Sequence, residues 1–144
     1  MEILNGKWIG KFKYNQVSGF PLAQPVNFEI SLNFTENSFT GTCTDELTLK
    51  LFHEPATIIG TYADDYISFI KRYPCMVGSD ENLNPILIRE EPSVDIHYTG
   101  ILSTTFFTGK YVFIGEWSLT DVYLDDQGDK VFQTNEGTWT MKKA

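Results

Sequence analysis

Between residues 26 and 35 apolar and polar side chains alternate without a break. Val26, Phe28, Ile30, Leu32 and Phe34 fall on one parity, and Asn27, Glu29, Ser31, Asn33 and Thr35 on the other. A period of two assigns each set to one face of a β-strand, one buried and one wet. The pattern recurs over about residues 7–14, where Trp8, Gly10, Phe12 and Tyr14 oppose Lys7, Lys11 and Lys13, and over 38–44, with Phe39, Gly41 and Cys43 inside. Further strands are predicted over about 57–62, 66–73, 94–102, 110–122 and 132–142. Glu36-Asn37 and Asp64-Asp65 have the composition of tight hairpin turns. Leu47, Leu49 and Leu51 continue the alternation and read either as one more strand or as a short lid. No segment shows a helical period with caps.

The one long interruption runs over residues 74–93 and holds Pro74, Pro85 and Pro92; within it residues 85–89 read either as a further short strand or as part of a lid. Connections of this length are uncommon in compact domains and often serve as lids or binding loops. Eight to ten strands joined by short turns, with little helix, predict an all-β chain folded as a single antiparallel up-and-down barrel. Closure removes the exposed edges that an open antiparallel sheet must protect. One domain over residues 1–144 is the expectation from length.

Charge and composition narrow the function classes. The chain carries a net charge of −8 and is 15% aromatic. No basic cluster exceeds Lys71-Arg72 or Lys142-Lys143, which argues against nucleic acid and against anionic membrane surfaces. No apolar run approaches a membrane helix. A start without a basic-then-apolar stretch, together with only two cysteines, Cys43 and Cys75, predicts a cytoplasmic protein with free thiols. Two Cys and two His at these spacings fit no zinc motif, and the acidic stretch Asp121 to Asp129 lacks the alternation of a calcium loop. No metal or cofactor is expected. No nucleophile elbow or phosphate loop is visible, which weighs against an enzyme, although a triad assembled by the fold would leave no such motif.

Gly-x-Trp occurs three times, at Gly6-Lys7-Trp8, Gly115-Glu116-Trp117 and Gly137-Thr138-Trp139. A glycine two places before a large ring leaves room where a curved sheet bends. Aromatic-x-Gly steps accompany it at Phe39-Thr-Gly41, Tyr98-Thr-Gly100, Phe107-Thr-Gly109 and Phe113-Ile-Gly115. This combination resembles the calycin superfamily of lipocalins, fatty-acid-binding proteins and avidins, and is similar to uncharacterised bacterial lipocalin-like domains. The resemblance implies a barrel with a small-ligand site. Its family ligand sets do not carry over. Gly19, Pro21 and Pro25 leave no room for the two-helix lid of fatty-acid-binding proteins, and the last strand lacks their Arg-x-Tyr. The avidin pattern of the first strand would need Asn at position 10 and Ser at position 14, where Gly10 and Tyr14 stand.

Parity places Trp8, Phe12, Phe28, Phe34, Tyr98, Phe113, Trp117 and Trp139 inside. These rings either line a pocket or plug the barrel, and an eight-stranded barrel allows both. Tyr14, Tyr62, Tyr73 and Tyr98, with Lys71 or Arg72, are the polar groups expected near a mouth. Lys71 shares its parity with Ile67 and Phe69, so it is the predicted inward cation, and such a cation is costly without a partner. The candidate ligand-binding residues are therefore Trp8, Phe12, Phe28, Lys71, Tyr98, Phe113, Trp117 and Trp139, for a small apolar or amphipathic ligand. The alternative is a solid barrel that works through its outer face. Outward Ile9, Ile59, Ile70, Ile101, Val112 and Ile114 would then pair with a partner or a second copy.

Overall fold

The computed structural model describes residues 2–15, 24–82, 84–104 and 110–144. The strands are β1 (Gly6–Tyr14), β2 (Val26–Thr35), β3 (Ser38–Asp45), β4 (Ala56–Ala63), β5 (Tyr66–Arg72), β6 (Met76–Ser79), β7 (Pro85–Ile88), β8 (Ile96–Thr104), β9 (Tyr111–Leu124) and β10 (Lys130–Lys143). Eight of them close on themselves in the order β1-β10-β9-β8-β5-β4-β3-β2, every neighbour antiparallel. β6 and β7 form a separate two-stranded hairpin inserted between β5 and β8. Among the described residues helix is limited to one 3-10 turn, Glu2–Leu4. The barrel expected from alternation is therefore present, and Val26 to Thr35 is buried and exposed in strict turn along its whole length.

The two ends of the barrel differ. At one end the connections are tight. β2 and β3 turn at Glu36-Asn37, and β4 and β5 at Asp64-Asp65. Glu36, Asp64 and Asp65 have φ of 56°, 51° and 64°. At Asp64-Asp65 the positive φ of both central residues is the geometry of a type I′ hairpin, whose twist matches the flanking strands. The other end gathers the connections over 46–55 and 73–95 and the projecting part of the β9–β10 hairpin. Residues 47–51 are a hydrogen-bonded turn, not a strand. The amides of Leu49 and Phe52 donate to the carbonyls of Asp45 and Thr48, which leaves none of them to a ladder. Of the two readings of residues 85–89 the strand is the one present, as β7, and its partner β6 gave no comparable signal. The Phe107-Thr-Gly109 step and residues 16–23 lie outside the described residues.

The repeated Gly-x-Trp has a reciprocal use. In the β9–β10 register Gly137 faces Trp117 and Trp139 faces Gly115, so each glycine sits opposite the other tripeptide's indole. A Cβ at Gly137 would lie 2.6 Å from the Trp117 indole nitrogen and would also collide with the Lys13 carbonyl oxygen. At Gly137 the room is thus made for the ring across the ladder; a Cβ at Gly115 would instead meet the Thr99 carbonyl and the Gly100 backbone, and the glycine whose Cβ would strike the Trp139 ring is Gly100, at 2.8 Å. The indoles then use that closeness. Trp117 Nε1 donates to the Lys13 carbonyl at 3.0 Å, and Trp139 Nε1 to the carbonyls of Glu116 and Thr99 at 3.0 and 3.1 Å. Trp8 Nε1 donates to Leu4 O at 3.0 Å and ties the 3-10 turn beneath the closed end. A buried indole with its N–H satisfied costs nothing for that donor and contributes the burial of the whole ring.

Candidate functional site

The ring layer fills the barrel interior. Trp8, Phe12, Phe28, Lys71, Tyr98, Phe113, Trp117 and Trp139 are all buried, none more than 4% exposed. Trp8 meets Phe113 with centroids 5.1 Å apart, Phe69 stacks on Tyr98 at 4.7 Å, and Trp139 lies edge-on to both members of that stack. Phe12 packs on Phe28 and Trp117. The expected residues are inside, as parity indicated, but they are packed on one another as core.

Above this layer, toward the end with the long connections, lies a buried polar cluster. Lys71 Nζ donates to Asp45 Oδ2 at 2.8 Å, and the Tyr73 hydroxyl donates to the same oxygen at 2.6 Å. Asp45 Oδ1 accepts from the backbone N–H and the hydroxyl of Thr48, both at 3.0 Å. The side chains of Lys71 and Asp45 are 2% and 0% exposed. The Lys71 ammonium also stands 5.4 Å over the Phe12 ring and 4.7 Å over the Tyr73 ring. Asp45 was not among the expected site residues. It continues the inward parity of Phe39, Gly41 and Cys43 by one step, and that is the signal that could have found it.

The protonation states follow from these neighbours. Burial alone would raise the Asp45 carboxyl, but the charge of Lys71 and the hydrogen bonds from Lys71, Tyr73 and Thr48 outweigh it and hold it below its ordinary value. Burial alone would lower Lys71, but Tyr98, Cys43, Tyr73 and Asp45 around it raise it well above the ordinary value. Both groups are thus charged at neutral pH. The Cys43 thiol is pushed up to about 11, first by burial, so it is a protonated and poor nucleophile. Burial, more than any neighbour, raises Tyr73 and Tyr98, and both are neutral phenols.

Open space lies above the cluster. A cavity of about 620 Å³ is walled by Tyr14 from β1, Tyr73 and Cys75 after β5, Ile96 from β8, and Leu119 and Val122 from β9. Leu47, Thr48 and Leu51 of the 46–55 turn and Met76 and Val77 of β6 complete it, with Ser93, Val94 and Gln133. The Phe52 ring lies parallel to Tyr73, 5.6 Å away, and props that wall. None of the eight expected residues lines this cavity. Of the mouth groups, Tyr14 and Tyr73 are at it and Tyr98 lies below. Tyr62 is at the opposite end, where its hydroxyl donates to Asp65 at 3.0 Å because β4 runs toward the tight turn. Arg72 has outward parity and pairs with Asp95 at 2.7 Å on the surface. His53 and His97 are exposed. Of the wall residues between β5 and β8, Tyr73, Cys75, Ser93 and Val94 come from irregular chain, where periodicity carries no information.

No family model matches the chain, and no curated protein matches it. Similar solved structures exist. The crystal structure of the short afifavidin–biotin complex aligns over 96% of this chain and 88% of that one, with a TM-score of 0.51 and 13% sequence identity. Rhizavidin aligns over 97% and 83%, with a TM-score of 0.49 and 10% identity. At such identity the likeness concerns the path of the chain and not its side chains. By fold, then, the chain is a closed eight-stranded antiparallel β-barrel whose path resembles that of afifavidin.

Proposed function

We propose that this barrel binds a small apolar or amphipathic molecule, held not in the lumen but in the cavity over its long-loop end. The observation that carries the reading is the position of that cavity. It lies over a floor already closed by rings and by the Asp45–Lys71–Tyr73 cluster, and its walls are Leu47, Leu51, Met76, Val94, Ile96 and Leu119. Its volume of about 620 Å³ is in the range of small-molecule sites. The similarly folded afifavidin was solved with biotin, which is in keeping with a small-ligand role. Biotin itself is not proposed, because Gly10 and Tyr14 replace polar positions of the avidin pattern. Burial of ~300 Å² of ligand surface offers about 7 kcal/mol gross at ~25 cal/mol/Å², before association costs, so affinity is expected to be micromolar at best. Two buried free thiols, Cys43 and Cys75, suit a reducing cytoplasm.

Native mass spectrometry of the purified protein tests the reading. A co-purifying mass of a few hundred daltons is expected, lost in Leu119→Trp, which fills the cavity from one wall. A mass retained in that variant places the ligand elsewhere and sinks the reading.

A second reading rests on the outer face. Tyr66, Ile101 and Ile114 are register neighbours across β5, β8 and β9, and they are 51, 62 and 55% exposed. Three large side chains in one row suit contact with a second copy. Sedimentation equilibrium decides: a monomer at high concentration, unchanged in Ile101→Lys, removes this reading.

A further inference from the structure

The cavity is apolar, but the way its surroundings handle charge is more informative than its hydrophobicity. Among the described side chains no cation or carboxylate lines it; the polar groups there are the hydroxyls of Tyr14, Thr48, Tyr73 and Ser93 and the amide of Gln133. Lys71 is the cation nearest the floor, and Asp45 neutralises it at 2.8 Å beneath the Tyr73 ring. The chain has only two arginines. Arg72 pairs with Asp95 at 2.7 Å and Arg89 with Glu54 at 3.3 Å, both on the surface. Lys13 and Lys50 are exposed and do not line the cavity. Residues 16–23 contain no ionisable side chain and cannot supply a charge.

The polar groups that do line the cavity are partly committed. The Tyr73 hydroxyl and the Thr48 hydroxyl donate to Asp45, and the Ser93 hydroxyl donates to the Val94 carbonyl at 3.1 Å. Among the described residues no hydrogen bond is made by the Tyr14 hydroxyl, which stands half-buried against Trp117. A ligand carboxylate would lose its hydration and meet no cation, inside a chain of net charge −8. Among the described side chains an ammonium would likewise meet no free carboxylate at the wall.

We propose that the ligand is electrically neutral: an apolar body with one uncharged hydroxyl or carbonyl that pairs with Tyr14. The proposal deepens the binding reading above and rests on it. A site of this kind prefers an alcohol to the matching acid, the reverse of a barrel that clamps a carboxylate on a cation.

Octan-1-ol, octanoate and octylammonium share one apolar body and differ in charge at pH 7. Each is titrated into the full-length protein and followed by amide NMR. Octan-1-ol is expected to shift the amides around Tyr14, Ser93 and Leu119 and to bind about tenfold more tightly than either ion, a difference of ~1.4 kcal/mol. Leu119→Trp should abolish those shifts. Octanoate or octylammonium binding as tightly as the alcohol at the same amides overturns neutrality while leaving a ligand site in place. Octan-1-ol shifts that persist in Leu119→Trp overturn the assignment to this cavity. No binding of any of the three removes both the proposal and the reading beneath it.

Discussion

Asp45 carries more of the structure than any other polar residue. One oxygen holds Lys71 and Tyr73, and the other starts the turn at Thr48. Removing one partner of a buried pair leaves an uncompensated charge, which typically costs about 3–5 kcal/mol, whereas replacing both with apolar groups is often near neutral. Lys71→Met is therefore expected to lower stability to urea by that amount, and Lys71→Met with Asp45→Leu to recover most of it. A double variant as unstable as the single would show that the Tyr73 and Thr48 bonds, not the charge pair, are what matter. The pH dependence has a definite sign. Asp45 is depressed, so its contribution is present above the unfolded carboxylate value, about pH 4, and is lost as pH falls through the lower folded value. Lys71 is raised, so its contribution is complete below about pH 10.4 and is lost only as pH rises through the higher folded value. Urea midpoints of the parent should fall more steeply than those of the double variant below pH 4, and equal slopes would contradict the assignment. Parity alone made Lys71 visible as an inward cation. Its partner was harder to read, because Asp45 stands where β3 ends and a terminal aspartate looks like a turn residue.

At the scale of elements, turns and cross-strand fits decide register. Glu36 has φ of 56° while Asn37 is not among the positive-φ residues, the pattern of a type II′ turn, which favours glycine at its first central position. Glu36→Gly should raise the urea midpoint by the equivalent of ~0.5–1 kcal/mol, since a non-glycine left-handed residue costs about 1–2 kcal/mol. An unchanged midpoint would mean that Glu36 gains elsewhere what it loses in strain. The opposite sign is expected at the reciprocal glycine. Gly137→Ala forces a methyl into the Trp117 indole and the Lys13 carbonyl, an overpacking cost of about 1–3 kcal/mol. It should also weaken the Trp117–Lys13 bond, visible as a shifted indole N–H resonance. Hairpin composition and Gly-x-Trp spacing announced these features in the sequence. Which ring each glycine accommodates was not legible there, because cross-strand register depends on the whole ladder.

The whole molecule divides its labour between a closed barrel and what is mounted on one end. β5 pairs directly with β8, so the barrel's hydrogen bonds are complete without residues 73–95. That segment contributes Tyr73, Cys75, Met76, Val77, Ser93 and Val94 to the wall of the cavity, and β7 pairs with β6 behind them. The barrel was legible from alternation because a closed sheet repeats one rule on every strand. The cavity was not, since half of its wall comes from irregular chain at 46–55, 73–75 and 93–94, and parity along β1, β8 and β9 does not say which inward residues stand above the closed floor. Replacing residues 76–88 with a short Gly/Ser linker should therefore leave a cooperative thermal transition and the near-ultraviolet signature of the packed tryptophans. It should also open the site, so that octan-1-ol no longer shifts the amides of Tyr14 and Leu119. Loss of the cooperative transition would mean that the hairpin is part of the fold. Retained octan-1-ol shifts would mean that the turn at 46–55 and the end of β9 suffice to hold the ligand. The expected result, an intact barrel with an empty mouth, would assign stability to the eight strands and recognition to the long connections above Asp45.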